Sequence, residues 1–170
     1  MYKKILIALD NSPADESILP HVTELASKFG AEILLLHVAD GFAARCFDSL
    51  KLAESEEIKA DRAYLEKVAD DLRAKKLSVT TRLAMGNPPT EILKTAEAER
   101  CDLIAMAGHG HKLFGDIFLG STITEVRHRT DIPLLVIRAK KKVERGLYPA
   151  SSHLSPGRFT DFSRRLRNEN

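Results

Sequence analysis

The chain has 170 residues, which suffice for one domain with a sizeable core, and its shares of hydrophobic (44%) and charged (29%) residues are ordinary for a globular protein. No apolar run approaches the roughly 20 residues of a membrane helix. Two cysteines without CxxC or metal-like spacing exclude a disulfide framework. We expect a cytoplasmic protein, since no export-type cleavage site follows the basic start of the chain.

Charge is unevenly distributed along the sequence. Eight of the 26 Lys and Arg residues, but only three of the 24 Asp and Glu residues, lie at 139–170. The body is therefore mildly acidic and carries a basic tail. This is not the charge pattern of a nucleic-acid-binding domain, so we expect neither nucleic acid nor a membrane as a partner.

Apolar runs and helical spacing alternate along the chain. "KKILIAL" and "EILLLHV" are typical of strands buried on both faces, whereas "SVTTRLAM" is more polar and typical of an edge strand. Strands are predicted at 3–9, 32–38, 78–85, 102–107 and 133–138. Helices are predicted before Gly30 and over about 54–75, 89–100 and 120–130, with an irregular connection at 39–53. The alternation predicts an α/β fold with one mainly parallel sheet covered on both faces.

The start of the first helix is marked by "DNSPADES". Asp10, Asn11 and Ser12 are candidates for its cap, and Pro13 suits a first helical turn. Pro20 should either kink this helix or mark its true first turn.

Three pieces of sequence are predicted to meet at one edge of the sheet. Ligands of open parallel sheets bind at the carboxyl ends of the strands, where the strand order switches. Asp10 closes the first strand, Val38 closes the second, and "AGHGHKLFGDIFLGST" at 107–122 follows the fourth. Gly120-Ser121-Thr122 at a helix start could bind an anion through backbone N–H groups and hydroxyls. Alternatively, the glycines only turn the chain and Ser121 caps a helix.

The spacing Gly-x-x-Gly-x9-Gly-Ser/Thr after a strand ending in Met resembles the nucleotide-binding signature of the universal stress protein family. The resemblance runs from Met1 to about Arg138 and includes "KILIALD", "LLLHV", "GNPPTEILKTAE", "CDLIAMAGHG", "LGST" and "DIPLLVIR". It implies five parallel strands in the order 3-2-1-4-5 within a domain at 1–139. It also implies a homodimer that pairs the last strands, from Pro133 to Arg138, and ATP, alone or with Mg²⁺, in the crevice.

The resemblance also assigns roles to individual residues. Ala8, Leu9 and Asp10 would border the adenosine, the backbone of Val38 would meet the adenine, and the glycine-rich stretch would hold the phosphates. The implied nucleotide-binding residues are Ala8, Leu9, Asp10, Val38, Met106, Ala107, Gly108, His109, Gly110, His111, Lys112, Gly120, Ser121 and Thr122. Ala107 stands where the signature has its first glycine. Its methyl group would weaken binding if this residue needs a positive φ, and costs little if φ is negative.

Several other polar residues can be interpreted from the sequence, some of them in two ways. Asp10 could cap the helix or hold a phosphate-bound metal through water, and His111 and Lys112 could lie in solvent or neutralise the triphosphate. His37 is predicted to be a satisfied core residue and Cys101 a packing residue. His21, His128 and His153 lack partners at metal-ligand spacing, so no metal site and no catalytic residue is predicted.

Two functions remain open at the level of sequence. The first is a nucleotide-binding regulatory protein of the stress response, acting with an unidentified protein partner and with slow or no hydrolysis. The second is a weak ATPase or nucleotidyl-transfer enzyme, although the Walker lysine and the SGGxDS and HIGH signatures are absent from the sequence. A member that has lost nucleotide binding is a further alternative. A phosphoacceptor receiver is excluded, because Met85-Gly86 occupies the place of its acidic residue.

The basic extension at 140–170 lies beyond the resemblance. Its Ser, Pro and Gly content argues against a core of its own. We expect a solvated extension, the alternative being an arm that lies against the acidic body or a partner.

Overall fold

The computed structural model describes residues 1–39, 56–108 and 121–139. Most of the predicted connection at 39–53, the central part of the glycine-rich stretch and the extension at 140–170 lie outside the described residues. So do five of the implied nucleotide-binding residues: His109, Gly110, His111, Lys112 and Gly120. Within the described ranges, no helix is long and apolar enough to cross a bilayer.

Five strands and four helices alternate in the described chain. The strands are β1 (Lys4–Leu9), β2 (Glu32–Ala39), β3 (Val79–Met85), β4 (Leu103–Gly108) and β5 (Leu134–Arg138). The helices are α1 (Asp15–Phe29), α2 (Glu56–Arg73), α3 (Pro88–Ala98) and α4 (Ser121–Arg129). All neighbouring strands are parallel and follow the order β3-β2-β1-β4-β5. The predicted α/β fold and strand order are confirmed.

The core forms two layers, one on each face of the sheet. Side chains of α1 and α2 pack on one face, and those of α3 and α4 pack on the other. β1 is central and contributes to both layers: Ile5 and Ile7 lie in the first, and Leu6 lies in the second. Alternation of side chains along a strand explains why these apolar runs are continuous rather than alternating.

The start of α1 differs from the prediction. The helix begins at Asp15, and its cap position is Ala14, with no side-chain cap hydrogen bond. Asp10 therefore does not cap the helix. Ser12 instead stabilises the turn that precedes the helix, because its hydroxyl oxygen accepts a hydrogen bond from the backbone N–H of Ala14. Pro20 lies inside the helix, so it does not mark the first turn.

Three further predicted features are observed: the glycine at the end of α1, the polar edge strand and the buried cysteine. Gly30 ends α1 in the left-handed conformation, with φ 63°. β3 is an edge strand whose Thr81 hydroxyl donates to Glu66 and whose Arg82 forms an ion pair of 3.6 Å with Glu99. Cys101 is buried in the second core layer, and burial raises the pKa of its thiol to about 11.

Candidate functional site

The carboxyl ends of β1, β2 and β4 bring together residues that are far apart in sequence. Ala8 lies level with both Leu36 of β2 and Met106 of β4. Because β1 is the strand at which the order reverses, its carboxyl end borders the switch point where open parallel sheets bind ligands. The structure thus places seven of the implied site residues at one edge of the sheet: Ala8, Leu9, Asp10, Val38, Met106, Ala107 and Gly108.

The first turn of α4 packs against the end of β4. A Cβ atom built on Gly108 would lie 3.6 Å from Cδ1 of Ile123, which is buried, and 3.8 Å from Cγ1 of Val136. The end of β4 and the first turn of α4 therefore lie side by side. Ser121 and Thr122 form the start of this helix, so their hydroxyls and the first free N–H groups belong to the same end of the sheet.

Ala107 takes an ordinary strand conformation. It lies within β4, level with Ile137 of β5, and it is not among the described residues with positive φ. Its methyl group packs against the core layer that contains α1 and α2. Alanine therefore replaces the signature's first glycine without backbone strain.

The buried carboxylate of Asp15 holds the loop between β1 and α1 in place. Asp15 is 2% exposed; its Oδ1 accepts a hydrogen bond of 3.4 Å from the backbone N–H of Asp10. Its Oδ2 accepts a hydrogen bond of 2.7 Å from the hydroxyl of Tyr64 on α2. Burial raises the pKa of Asp15, and the hydrogen bond from Tyr64 partly offsets this effect.

His37 and Asp61 form a second buried anchor beside the same loop. Nδ1 of His37 lies 2.9 Å from the carbonyl oxygen of Leu9, and Nε2 lies 3.2 Å from Oδ2 of Asp61. The other Asp61 oxygen, Oδ1, lies 3.4 Å from the side-chain nitrogen of Asn11. Asn11 has a φ of 56°, in the left-handed region that asparagine tolerates better than most residues.

The comparison with protein families agrees with this fold. The model of the universal stress protein family matches residues 1–138. The chain belongs to the universal stress protein family.

Relatives within the universal stress proteins align over most of the chain. Universal stress protein MJ0577 of Methanocaldococcus jannaschii is 31% identical over 160 residues, covering 82% of this chain and 97% of the relative. The solved MJ0577 structure superposes with a TM-score of 0.67 and covers 82% of this chain and 98% of its own.

Two more distant universal stress proteins were solved with nucleotides. The protein from Archaeoglobus fulgidus in complex with dAMP has a TM-score of 0.61 at 19% identity, covering 80% of this chain and 98% of its own. A universal stress protein in complex with cAMP has a TM-score of 0.61 at 16% identity, covering 82% and 98%. At these identities the likeness establishes the fold.

Four residues beside this edge were not predicted from the sequence as site residues: Asn11, which was named only as a cap candidate, and Asp15, Asp61 and Tyr64. One signal for Asp61 was available, because it follows Ile58 by three residues and precedes Leu65 by four, on the apolar face of α2. A charged residue at such a position must find a partner. His37, predicted to be a satisfied core residue, is confirmed as buried and hydrogen-bonded.

No metal cluster is found in the part of the chain that the structure describes, where no three His, Cys, Asp or Glu side chains come together. His21 and His128 are exposed on α1 and α4. Among the described residues, the carboxyl edge offers backbone N–H groups, hydroxyls and the buried polar groups that hold the β1–α1 loop.

Proposed function

We propose that this chain is an adenine-nucleotide-binding regulatory protein of the stress response, with ATP as its ligand and slow or no hydrolysis. The observation that carries the proposal is the contact between Gly108 and the first turn of α4. Ser121 and Thr122, at the N-terminus of this helix, therefore lie near the end of β4. Helix N-termini stabilise phosphate through free N–H groups and the helix dipole.

The residues at this edge suit the two parts of a nucleotide. Ala8 and Val38 supply a small, partly exposed apolar surface for the adenosine, whereas the side chain of Leu9 is buried and leaves only its backbone for such a contact. Gly108 carries no side chain, and Ser121 and Thr122 supply hydroxyl groups for phosphate oxygens. Bound Mg²⁺ would neutralise phosphate charge, and the exposed Asp10 is the acidic residue nearest to the β1 end for a water-mediated contact.

The ligands of the solved relatives support binding of an adenine base more directly than binding of a triphosphate. Universal stress proteins of the same fold were solved with dAMP and with cAMP. Both ligands share adenine and one phosphate. ATP is proposed for this chain because the family resemblance implies it. The helix start at Ser121 and the glycine-rich stretch also offer groups for more than one phosphate.

We further propose a cytoplasmic homodimer formed through β5. Leu134, Leu135, Val136 and Ile137 of this strand are half-buried, and among the described strands β5 has a neighbour, β4, on one side only. An open apolar edge favours strand pairing, and a two-fold axis would cover both copies at once. The other edge strand, β3, instead carries polar side chains: Thr81 pairs with Glu66, and Arg82 pairs with Glu99.

Nucleotide released from denatured pure protein tests the proposed function. We expect an adenine nucleotide in the wild type and its loss in Gly110→Val, a substitution in the phosphate signature. Incubation with ATP and Mg²⁺ should leave ATP intact; accumulation of ADP or AMP would favour the enzyme alternative. Protein that releases no nucleotide, and that shows no heat when titrated with ATP, would contradict the proposal.

A further inference from the structure

Two polar side chains of α2 are linked to the end of β1. Asp61 and Tyr64 are three residues apart, so they lie on the same side of the helix, which is the side that carries the buried residues Ile58 and Leu65. A carboxylate and a hydroxyl on an apolar face need polar partners. The partners of both residues contact or include positions 9–11, where β1 ends and the loop to α1 begins.

Asp61 holds the residues on either side of Asp10. Its Oδ2 lies 3.2 Å from Nε2 of His37, and Nδ1 of the same ring donates at 2.9 Å to the carbonyl oxygen of Leu9, which can only accept. Its Oδ1 lies 3.4 Å from the side-chain nitrogen of Asn11. Asp61 and His37 are 9% and 8% exposed, so water competes only weakly for these contacts.

Tyr64 holds Asp10 itself through a second carboxylate. The hydroxyl of Tyr64 donates at 2.7 Å to Oδ2 of Asp15, and Oδ1 of Asp15 accepts from the backbone N–H of Asp10 at 3.4 Å. The ring of Tyr64 packs against the core layer that contains α1 and α2. One turn of α2 therefore contacts three consecutive residues, at 9–11, through His37, Asp15 and its own Asp61.

The conformation of residues 9–11 benefits from this support. Asn11 has a φ of 56°, a left-handed conformation that is sterically disfavoured for a residue with a Cβ atom, although asparagine tolerates it better than most. α1 begins only at Asp15, so the positions between belong to the loop. A site is held in one geometry when the side chains that support it are themselves fixed by packing and hydrogen bonds. Asp61 and Tyr64 meet that condition.

We propose that Asp61 and Tyr64 are positioning residues for the nucleotide, which act through other residues to hold positions 9–11 in the geometry that the adenosine meets. The inference rests on the proposed function, which assigns Leu9 and Asp10 to the border of the adenosine. A loop that spends only part of its time in the binding geometry lowers the apparent affinity by that fraction. Loss of either side-chain contact should therefore weaken binding.

Three substitutions remove or keep these contacts selectively. Asp61→Ala removes the carboxylate that faces both His37 and Asn11. Asp61→Asn keeps the shape and offers one donor and one acceptor, so it can still pair with both neighbours. Tyr64→Phe removes the hydroxyl alone and keeps the ring on the core.

A fourth substitution on the same helix is the matched control. Glu66 accepts a hydrogen bond from the hydroxyl of Thr81 on β3, at the edge of the sheet. Glu66→Ala therefore removes a contact between α2 and a strand without removing a contact to positions 9–11. If affinity depended only on how firmly α2 packs, this variant would also bind nucleotide more weakly.

The experiment measures ATP affinity of the five proteins by titration calorimetry, and hydrogen exchange of the amides of Asp10 and Asn11 in the nucleotide-free proteins. We expect D61A and Y64F to bind ATP about tenfold more weakly than wild type, which corresponds to a loop that keeps the binding geometry about a tenth of the time. Exchange of both amides should be faster in these two variants. D61N and E66A should match wild type in both measurements, and urea denaturation verifies that each variant is folded under the assay conditions.

Several results would overturn the inference while leaving the proposed function intact. They are wild-type affinity in D61A or in Y64F, unchanged amide exchange in both, and a loss of affinity in D61N or E66A as large as that in D61A. If D61A does not fold, Y64F and E66A carry the test, because Y64F removes a single oxygen atom. A wild type that binds no ATP would instead overturn the proposed function, and the inference with it.

Discussion

The hydroxyl of Tyr64 donates a 2.7 Å hydrogen bond to Oδ2 of Asp15, joining α2 to the first turn of α1 beneath the β1–α1 loop. Burial disfavours the charged carboxylate and raises the pKa of Asp15; the nearby charge of Asp10 acts in the same direction. Burial, followed by the hydrogen bond to Asp15, likewise raises the pKa of Tyr64. Burial thus disfavours the charge on the carboxylate that orients the backbone of Asp10.

Asp15→Asn should change how stability depends on pH. The folded-state pKa of Asp15 lies above its unfolded value, so between the two the folded protein binds the proton more tightly. This contribution is complete below the unfolded value and is lost as pH rises through the folded one. The free energy of unfolding of D15N, relative to wild type, should therefore increase from acid to neutral pH, as measured by urea denaturation. Glu16→Gln, at an exposed neighbour, is the control; equal pH profiles of D15N and wild type would contradict the assignment.

Gly108→Ala should leave the fold intact and stabilise it by about 0.5 kcal/mol, because alanine restricts the unfolded chain where the folded backbone accepts it. The new methyl group would meet Ile123 and Val136 at 3.6 and 3.8 Å, ordinary contact distances. Gly86→Ala is the matched contrast, since Gly86 has a φ of 135° and should lose more than about 1 kcal/mol. Thermal unfolding of both variants checks the prediction, and a less stable G108A would show that α4 packs more tightly than the distances imply.

Ser121→Ala should weaken ATP binding by about tenfold, about 1.4 kcal/mol, as expected for the loss of a hydrogen bond to a charged phosphate. Stability should not change, because Ser121 is exposed. Ser27→Ala is a suitable control: Ser27 is also an exposed helical serine, but it lies in the last turn of α1, at the opposite edge of the sheet. Equal affinity of S121A and S27A in calorimetric titration would remove Ser121 from the site.

Val136→Pro should convert the proposed dimer into a folded monomer. Ala139 donates its N–H to Gly108, and Pro133 accepts from Ile104, so the odd-numbered residues of β5 face β4. By strand alternation, the N–H of Val136 points outward, and proline removes that donor without breaking the pairing with β4. Light scattering should give a dimer mass for the wild type and for Val136→Ile, and a monomer mass for V136P. A wild-type monomer, or a dimeric V136P, would count against pairing through this edge.

The local elements of this protein are readable from its sequence. Continuous apolar runs at β1 and β2 predict buried strands, and the helical spacing of Ile58 and Leu65 predicts the face of α2 that packs on the sheet. Both patterns depend on near neighbours in the chain. The strand order came from the resemblance to a family rather than from periodicity, since apolar spacing does not record which strand lies beside which.

Sequence and structure contribute differently to the candidate site. "AGHGHKLFGDIFLGST" marked the edge, and Ala107 was the open question there. Whether this residue needs a positive φ was decided only by the tertiary structure, because φ at Ala107 depends on its pairing with β5.

The two anchors beneath the β1–α1 loop required the tertiary structure entirely. Asp61 meets Asn11 across 50 positions of sequence, and Tyr64 meets Asp15 across 49. Such contacts depend on where α2 rests along the sheet, which is set by packing of its whole apolar face. A sequence can show that Asp61 is a polar residue in an apolar stripe and needs a partner, but the choice of His37 as that partner arises only when helix and strand are packed together.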